Sequence, residues 1–154
     1  MEAFASFFRS IGKKAQIKYY PLIPEILNIL PPLKEAGDGE QLSRALMALI
    51  DLAEVAPRMF RHLFNNLVKF SIMVIQDKEL GDQTRQNALE LMATFADYAP
   101  QMCKKDESYI TEMVTQCLSL MTDIGVDDDD AKEWCESEDV SLGRPPQSST
   151  TEIN

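Results

Sequence analysis

Between Leu42 and Ala53, apolar residues fall at Leu42, Ala45, Leu46, Leu49, Ile50, Leu52 and Ala53. These are the three- and four-residue steps of one helix face. The same spacing returns at Phe60, Leu63, Phe64, Leu67, Val68, Ile72 and Ile75, with Ser71 among them. It returns again at Ala88, Leu91, Met92, Phe95 and Ala96, and last at Ile110, Met113, Val114, Cys117, Leu118 and Met121. Earlier stripes stand at Phe4, Phe7, Phe8 and Ile11, and at Tyr19, Leu22, Ile23, Ile26, Leu27 and Leu30. No period-two alternation interrupts them, so the pattern predicts helices and no strands.

Breakers set the expected bounds. A first helix ends near Ile11, and Gly12 to Lys14 form a bend. A second runs from about Tyr19 toward Leu33, with Pro21 and Pro24 near its start and a kink at Pro31-Pro32. Ala36-Gly37-Asp38-Gly39 reads as a loop. The following helices are expected at about Glu40–Ala56, Arg58–Gln76, Gln83–Tyr98 and Glu107–Ile124. Pro57 and Pro100 close the third and fifth of these six helices, and Lys104 to Ser108 make a polar bend.

Two of the stripes are copies. ALMALIDLAEVAP at Ala45–Pro57 returns as ALELMATFADYAP at Ala88–Pro100, a step of 43 residues. The last stripe matches the Phe64–Ile75 stripe at a step of 46, a three-residue insertion in the bend. Helix pairs at this period indicate an all-α fold of the HEAT-repeat α-solenoid type. About two complete helix pairs are expected, plus a partial first repeat, because stepping back 43 residues places the chain's start inside an outer helix. The expected organisation is a HEAT array over residues 1–125, an acidic segment over 126–139 at the start of a further repeat, and a disordered tail over 140–154.

Composition fits a folded protein, with 45% hydrophobic residues in 154. The net charge is −10, and Asp127–Asp139 holds eight acidic residues and one lysine, leaving −3 for the rest. Such acidity disfavours nucleic acid, whose binding needs cations to displace counterions, and favours basic protein partners. No apolar run is long enough to span a membrane, so neither nucleic acid nor membrane is an expected partner. Met1–Lys14 lacks the charged start and apolar core of a secretory signal, and its basic residues fit the repeat better than a presequence.

Chemistry-bearing motifs are sparse. Cys103, Cys117 and Cys135 lack CxxC spacing and stand with one histidine, His62, so no zinc site, no other metal and no cofactor is expected. Cys117, on an apolar stripe, is expected in the core, and most of the eight methionines with it. No hydrolase or phosphate-binding motif occurs, which points to a binding protein and not an enzyme. Asp127, Asp128, Asp129 and Asp130, with Glu133 and Trp134, are the candidate site. One reading is a solvated cluster at a helix's first turn, where carboxylates meet the positive end of the helix dipole. The other is a trap for a basic segment, with Trp134 as a flat face for a cation. Trp134 equally fits the core of a following helix pair. Glycine and terminal glutamate positions rule out a common calcium loop.

The runs YPLIPEILNILPPL, ALIDLAEVAPRMF, ALELMATFADYAPQMCKK and MTDIGVDDDDAKEW resemble the N-terminal third of the importin-β superfamily, nearest its beta-3 branch. The resemblance covers about Ala3 to Asp139, and APQMCKK together with DDDDAKEW is its most specific part. It implies a nuclear transport receptor that shuttles between cytoplasm and nucleus. It further implies binding of basic import cargo, FG-repeat nucleoporins and Ran-GTP, the last weak or absent where the first repeats are missing. Carried onto this chain, it marks only Asp127–Asp130, Glu133 and Trp134 as cargo-binding residues. A HEAT scaffold outside transport, or a truncated product without its own function, are the alternatives.

Overall fold

The computed structural model describes residues 2–123, with side chains from residue 6 onward. The described residues form α1 (Glu2–Ser10), α2 (Lys13–Gln16), a 3-10 segment (Ile17–Leu22), α3 (Ile23–Leu27) and α4 (Leu30–Glu35). They continue through α5 (Gly39–Val55), a 3-10 turn (Pro57–Phe60), α6 (Phe64–Gln76), α7 (Asp82–Tyr98), α8 (Pro100–Cys103) and α9 (Tyr109–Thr122). Helix α5 packs against α1 on one side and α7 on the other, and α6 packs against α7. The outer helices α1, α5 and α7 thus stack as a row, with the remaining elements as the inner layer, the arrangement of an α-solenoid.

Helices α5 and α7 fall where the repeat places them. Gly37 takes φ 69°, the left-handed conformation glycine tolerates, and turns the chain into α5. Asp38 then caps the helix, its carboxylate accepting from Gln41 N–H at 3.1 Å. Gly39 is therefore the helix's first residue and not loop. Its carbonyl accepts from Thr84 Oγ1 at 3.0 Å, which brings the start of α7 against the start of α5. At the other ends, Ala56 (φ −143°, ψ 57°) and Ala99 (φ −138°, ψ 48°) leave helical geometry before Pro57 and Pro100. The two corners share one backbone shape, as the copied ALxxxxxxAxxAP pattern requires.

Two expected inner helices are altered. The run from Tyr19 to Leu33 is not one helix but three short pieces. Pro21 sits in the 3-10 segment, Pro24 opens α3, and Pro31 and Pro32 open α4. Each proline lacks an N–H and clashes with the carbonyl of the preceding turn, so a helix can begin at it but not run through it. The expected bend at Gly12–Lys14 is likewise shorter, because Lys13 already begins α2. The helix expected from Arg58 begins only at Phe64, after the 3-10 turn and a non-helical Leu63 (φ −114°, ψ 4°). A short α8 precedes the polar bend at Lys104 and was not legible in the periodicity.

The core lies between the layers. Leu42, Leu46, Leu49, Leu52, Ala53, Leu67, Leu91 and Phe95 are buried on the predicted stripes. Phe95 lies edge-on to Phe60 and Phe64, with ring centroids 5.3 and 5.2 Å away. Phe64 in turn meets Tyr109 at 5.6 Å, which carries the aromatic cluster into α9. Burying each such side chain contributes roughly 1.5–3 kcal/mol. Phe8 and Tyr19 make a second aromatic contact at 5.8 Å near the N-terminus.

The buried face of α7 also carries Thr84, Arg85 and Asn87. Arg85 Nε donates to the Ile75 carbonyl at 2.7 Å, and Asn87 Nδ2 to Ser43 Oγ at 2.8 Å. These residues extend the Ala88–Phe95 stripe toward its start at helical spacing, so polarity alone hid them from a hydrophobic reading. Among the methionines, Met59 and Met92 are buried and Met102 and Met113 pack half-buried against the core, as expected, whereas Met47, Met73 and Met121 are exposed.

Candidate functional site

The acidic candidates Asp127, Asp128, Asp129, Asp130, Glu133 and Trp134 lie outside the described residues. The described chain leads to them along α9, whose surface differs from its predicted role. The stripe expected to be core is largely uncovered: Ile110 is 62% exposed, Val114 52%, Leu118 58% and Met121 67%. Cys117 is half-buried and not a core residue. The residues α9 does bury are Tyr109 and Gln116.

The difference has a geometric cause. A helix in a solenoid needs two neighbours, its own partner and the next repeat, to cover a stripe this wide. The equivalent stripe on α6 is covered by α7 and the aromatic cluster, so Phe64, Leu67 and Val68 are buried. Among the described residues no element occupies the matching place over α9. The result is an apolar recess of about 310 Å³ between Ala96, Pro100, Tyr109, Ile110, Val114 and Leu118.

Tyr109 anchors the inner wall of this recess. Its hydroxyl donates to the Met92 carbonyl. Burial, reinforced by Cys103, pushes the phenol far above its usual value, so the hydroxyl stays a donor. Burial also pushes the Cys103 thiol up. A thiol held protonated is a poor nucleophile, and Cys103 is a packing residue. Among the described residues no three His, Cys, Asp or Glu side chains gather as a metal site, and no helix is long and apolar enough to cross a membrane. What this surface offers is shape and apolar area, the properties of a binding or repeat-stacking face.

Comparison with known proteins accounts for nearly the whole chain. Residues 77–146 match the family model described as "Importin repeat", and residues 1–70 match "IPO5-like, TPR repeats". The 43-residue period is that of HEAT or armadillo units and not the 34 residues of tetratricopeptide repeats. Importin subunit beta-3 of Saccharomyces cerevisiae is 39% identical over 138 residues, which are 90% of this chain and 13% of that protein. The crystal structure of Kap121p bound to RanGTP superposes with a TM-score of 0.81 at 39% identity, over 89% of this chain and 14% of that one. Kap121p bound to Nup53p superposes with a TM-score of 0.80, over 87% and 13%. The chain therefore spans about an eighth of the length of these relatives. With importin models over both halves and this agreement in sequence and fold, the chain belongs to the importin-β superfamily.

Proposed function

We propose that the chain serves as part of a nuclear import receptor, shuttling between cytoplasm and nucleus and binding proteins rather than catalysing a reaction. The observation that carries the reading is its 39% identity, over 90% of its length, to importin subunit beta-3. Solved structures similar to it are of Kap121p bound to RanGTP, Nup53p and Ste12p. By that similarity the partners proposed here are basic import cargo and FG-repeat nucleoporins. Ran-GTP, bound by Kap121p in one of those structures, is proposed as a weaker partner.

Within this reading, Asp127–Asp130 and Glu133 hold a basic import signal, and Trp134 stacks on a lysine or arginine side chain. Single exposed ion pairs contribute only about 0–1 kcal/mol. Eight carboxylates within thirteen residues act together, by steering and by engaging several cations at once. Residues 126–139 are thus the proposed cargo-facing segment, and 1–125 the repeat array that presents it.

The test is fluorescence anisotropy of the full chain with a labelled basic import-signal peptide and an FG-repeat peptide, at low and physiological salt. The expected result is saturable, salt-sensitive binding of the basic peptide that is lost when Asp127–Asp130 are changed to Asn. Absence of binding to both peptides would refute the reading for this chain.

A further inference from the structure

The two proline corners place a groove of a different character on one edge of the array. It has a volume of about 1080 Å³. Val55, Pro57 and Phe64 contribute to its lining, with Tyr20 on the side of the 3-10 segment and Tyr98 at the end of α7. Because the corners at Ala56 and Ala99 share one backbone shape, residues after each proline reach the same edge. The repeat step of 43 thus aligns His62 with Lys105, and both line the groove.

Lys13, Arg58, Arg61 and Lys105 line this groove, with His62 beside them. All are exposed, and none is ion-paired among the described residues, whereas Arg9, Lys34, Arg44 and Arg85 each have a carboxylate partner. Two acidic residues, Glu54 and Asp106, also line the groove. Glu54 lies 3.8 Å from Arg9, and Asp106 accepts from the Ser108 hydroxyl at 2.8 Å and the Ser108 N–H at 3.1 Å. In a chain of net charge −10, this is a concave surface whose lining carries four lysine and arginine side chains against two carboxylates, a local excess of positive charge.

We propose that this groove binds an acidic peptide segment of a partner protein, carrying an aromatic or large apolar residue among its carboxylates. Arginine and lysine meet the carboxylates, and the tyrosines at either end receive the apolar residue. Stacked helices sit about 8–10 Å apart, so the bend at Gly12 and the two proline corners together extend roughly 20 Å. An extended peptide covers that with about six residues. A peptide suits the site better than nucleic acid, because a short acidic segment ends within the groove, whereas a continuous phosphate backbone would run on along a strongly acidic chain.

The experiment uses the full chain and a fluorescein-labelled octapeptide of Glu and Asp with one central Phe, titrated at 50 mM and 300 mM salt. The expected outcome is saturable binding at low salt that weakens at least fivefold at high salt. Arg61→Glu combined with Lys105→Glu weakens it at least tenfold, and Tyr98→Ala about threefold. Lys69→Glu, an exposed change outside the groove, leaves it within twofold, and circular dichroism melts confirm that each variant folds. The proposal is overturned by absence of saturable binding, by an equal loss in Lys69→Glu, or by tighter binding of an eight-residue oligothymidylate. The import-signal reading stands or falls separately, because its probe is basic and its variants lie at Asp127–Asp130.

Discussion

Lys34 and Asp77 form an ion pair across neighbouring repeats, the ammonium 2.5 Å from the carboxylate. Lys34 lies near the end of α4, and Asp77 caps the end of α6, where its other oxygen accepts from Glu79 N–H at 3.1 Å. The Lys34 hydrogen bond, followed by that from Glu79, holds the Asp77 carboxyl below the usual carboxylate range. A depressed folded value adds stability above the unfolded value of about 3.9, and that stability disappears as pH falls through the folded value. Asp77→Asn should therefore cost about 1 kcal/mol at pH 7. Thermal melts of the two proteins should differ at neutral pH and converge below about pH 4. A constant gap down to pH 2.5 would mean the carboxylate charge is not what the substitution removes.

Phe95 is the centre of the aromatic cluster that joins α6, α7 and the corner at Pro57. Phe95→Ala should cost about 3–5 kcal/mol, and Phe64→Ala a similar amount, because each leaves a cavity among neighbours fixed by the backbone. Urea denaturation should show a lowered midpoint for both. An unchanged midpoint for Phe95→Ala would place the core elsewhere.

Ser71 is buried within the α6 stripe, and its hydroxyl has no hydrogen-bond partner among the described residues. A buried, unsatisfied hydroxyl costs free energy that an alanine of nearly the same shape does not. Ser71→Ala should raise stability by about 1 kcal/mol, read as a higher melting temperature. A fall in melting temperature would reveal a partner for the hydroxyl, such as a bound water.

The cysteines should react in a set order. Cys117 is half-buried on α9, while Cys103 is buried, with its thiol pushed up by that burial. Iodoacetamide at pH 8 should modify Cys117 at least tenfold faster than Cys103, read by peptide mass mapping of the native chain. Equal rates would show that α8 opens to solvent on the labelling timescale.

The outer layer could be read almost entirely from the chain. Helices α5 and α7 lack internal prolines and have wide apolar stripes, so local preference and packing agree. The inner layer was less legible for identifiable reasons. Pro21, Pro24, Pro31 and Pro32 keep the apolar period of a helix while forbidding its hydrogen bonds, so the stripe from Tyr19 to Leu30 predicted one helix where several short ones form. Periodicity locates the apolar face of α9 at Ile110 to Met121 but carries no information on whether another element covers it. The groove at the proline corners was hidden for another reason. Lys13, Arg58, Arg61 and Lys105 are dispersed in sequence, and only the stacking of repeats gathers them. Asp127–Asp130 were conspicuous because their charge is consecutive, which is a property of sequence and needs no fold to be seen.

The polar ties between successive repeats bear on how quickly such an array assembles. Lys34–Asp77, Arg9–Asp51, Ser43–Asn87 and Gly39–Thr84 join residues 43, 42, 44 and 45 positions apart. Each closes a loop of one repeat, at an entropic cost of roughly 3 kcal/mol plus a constant. That cost is the same at every step, so lengthening the array adds steps without making any single closure harder. Folding can begin at the Phe60–Phe64–Phe95 cluster and extend one helix pair at a time, with a rate set by the repeat and not by the length of the chain.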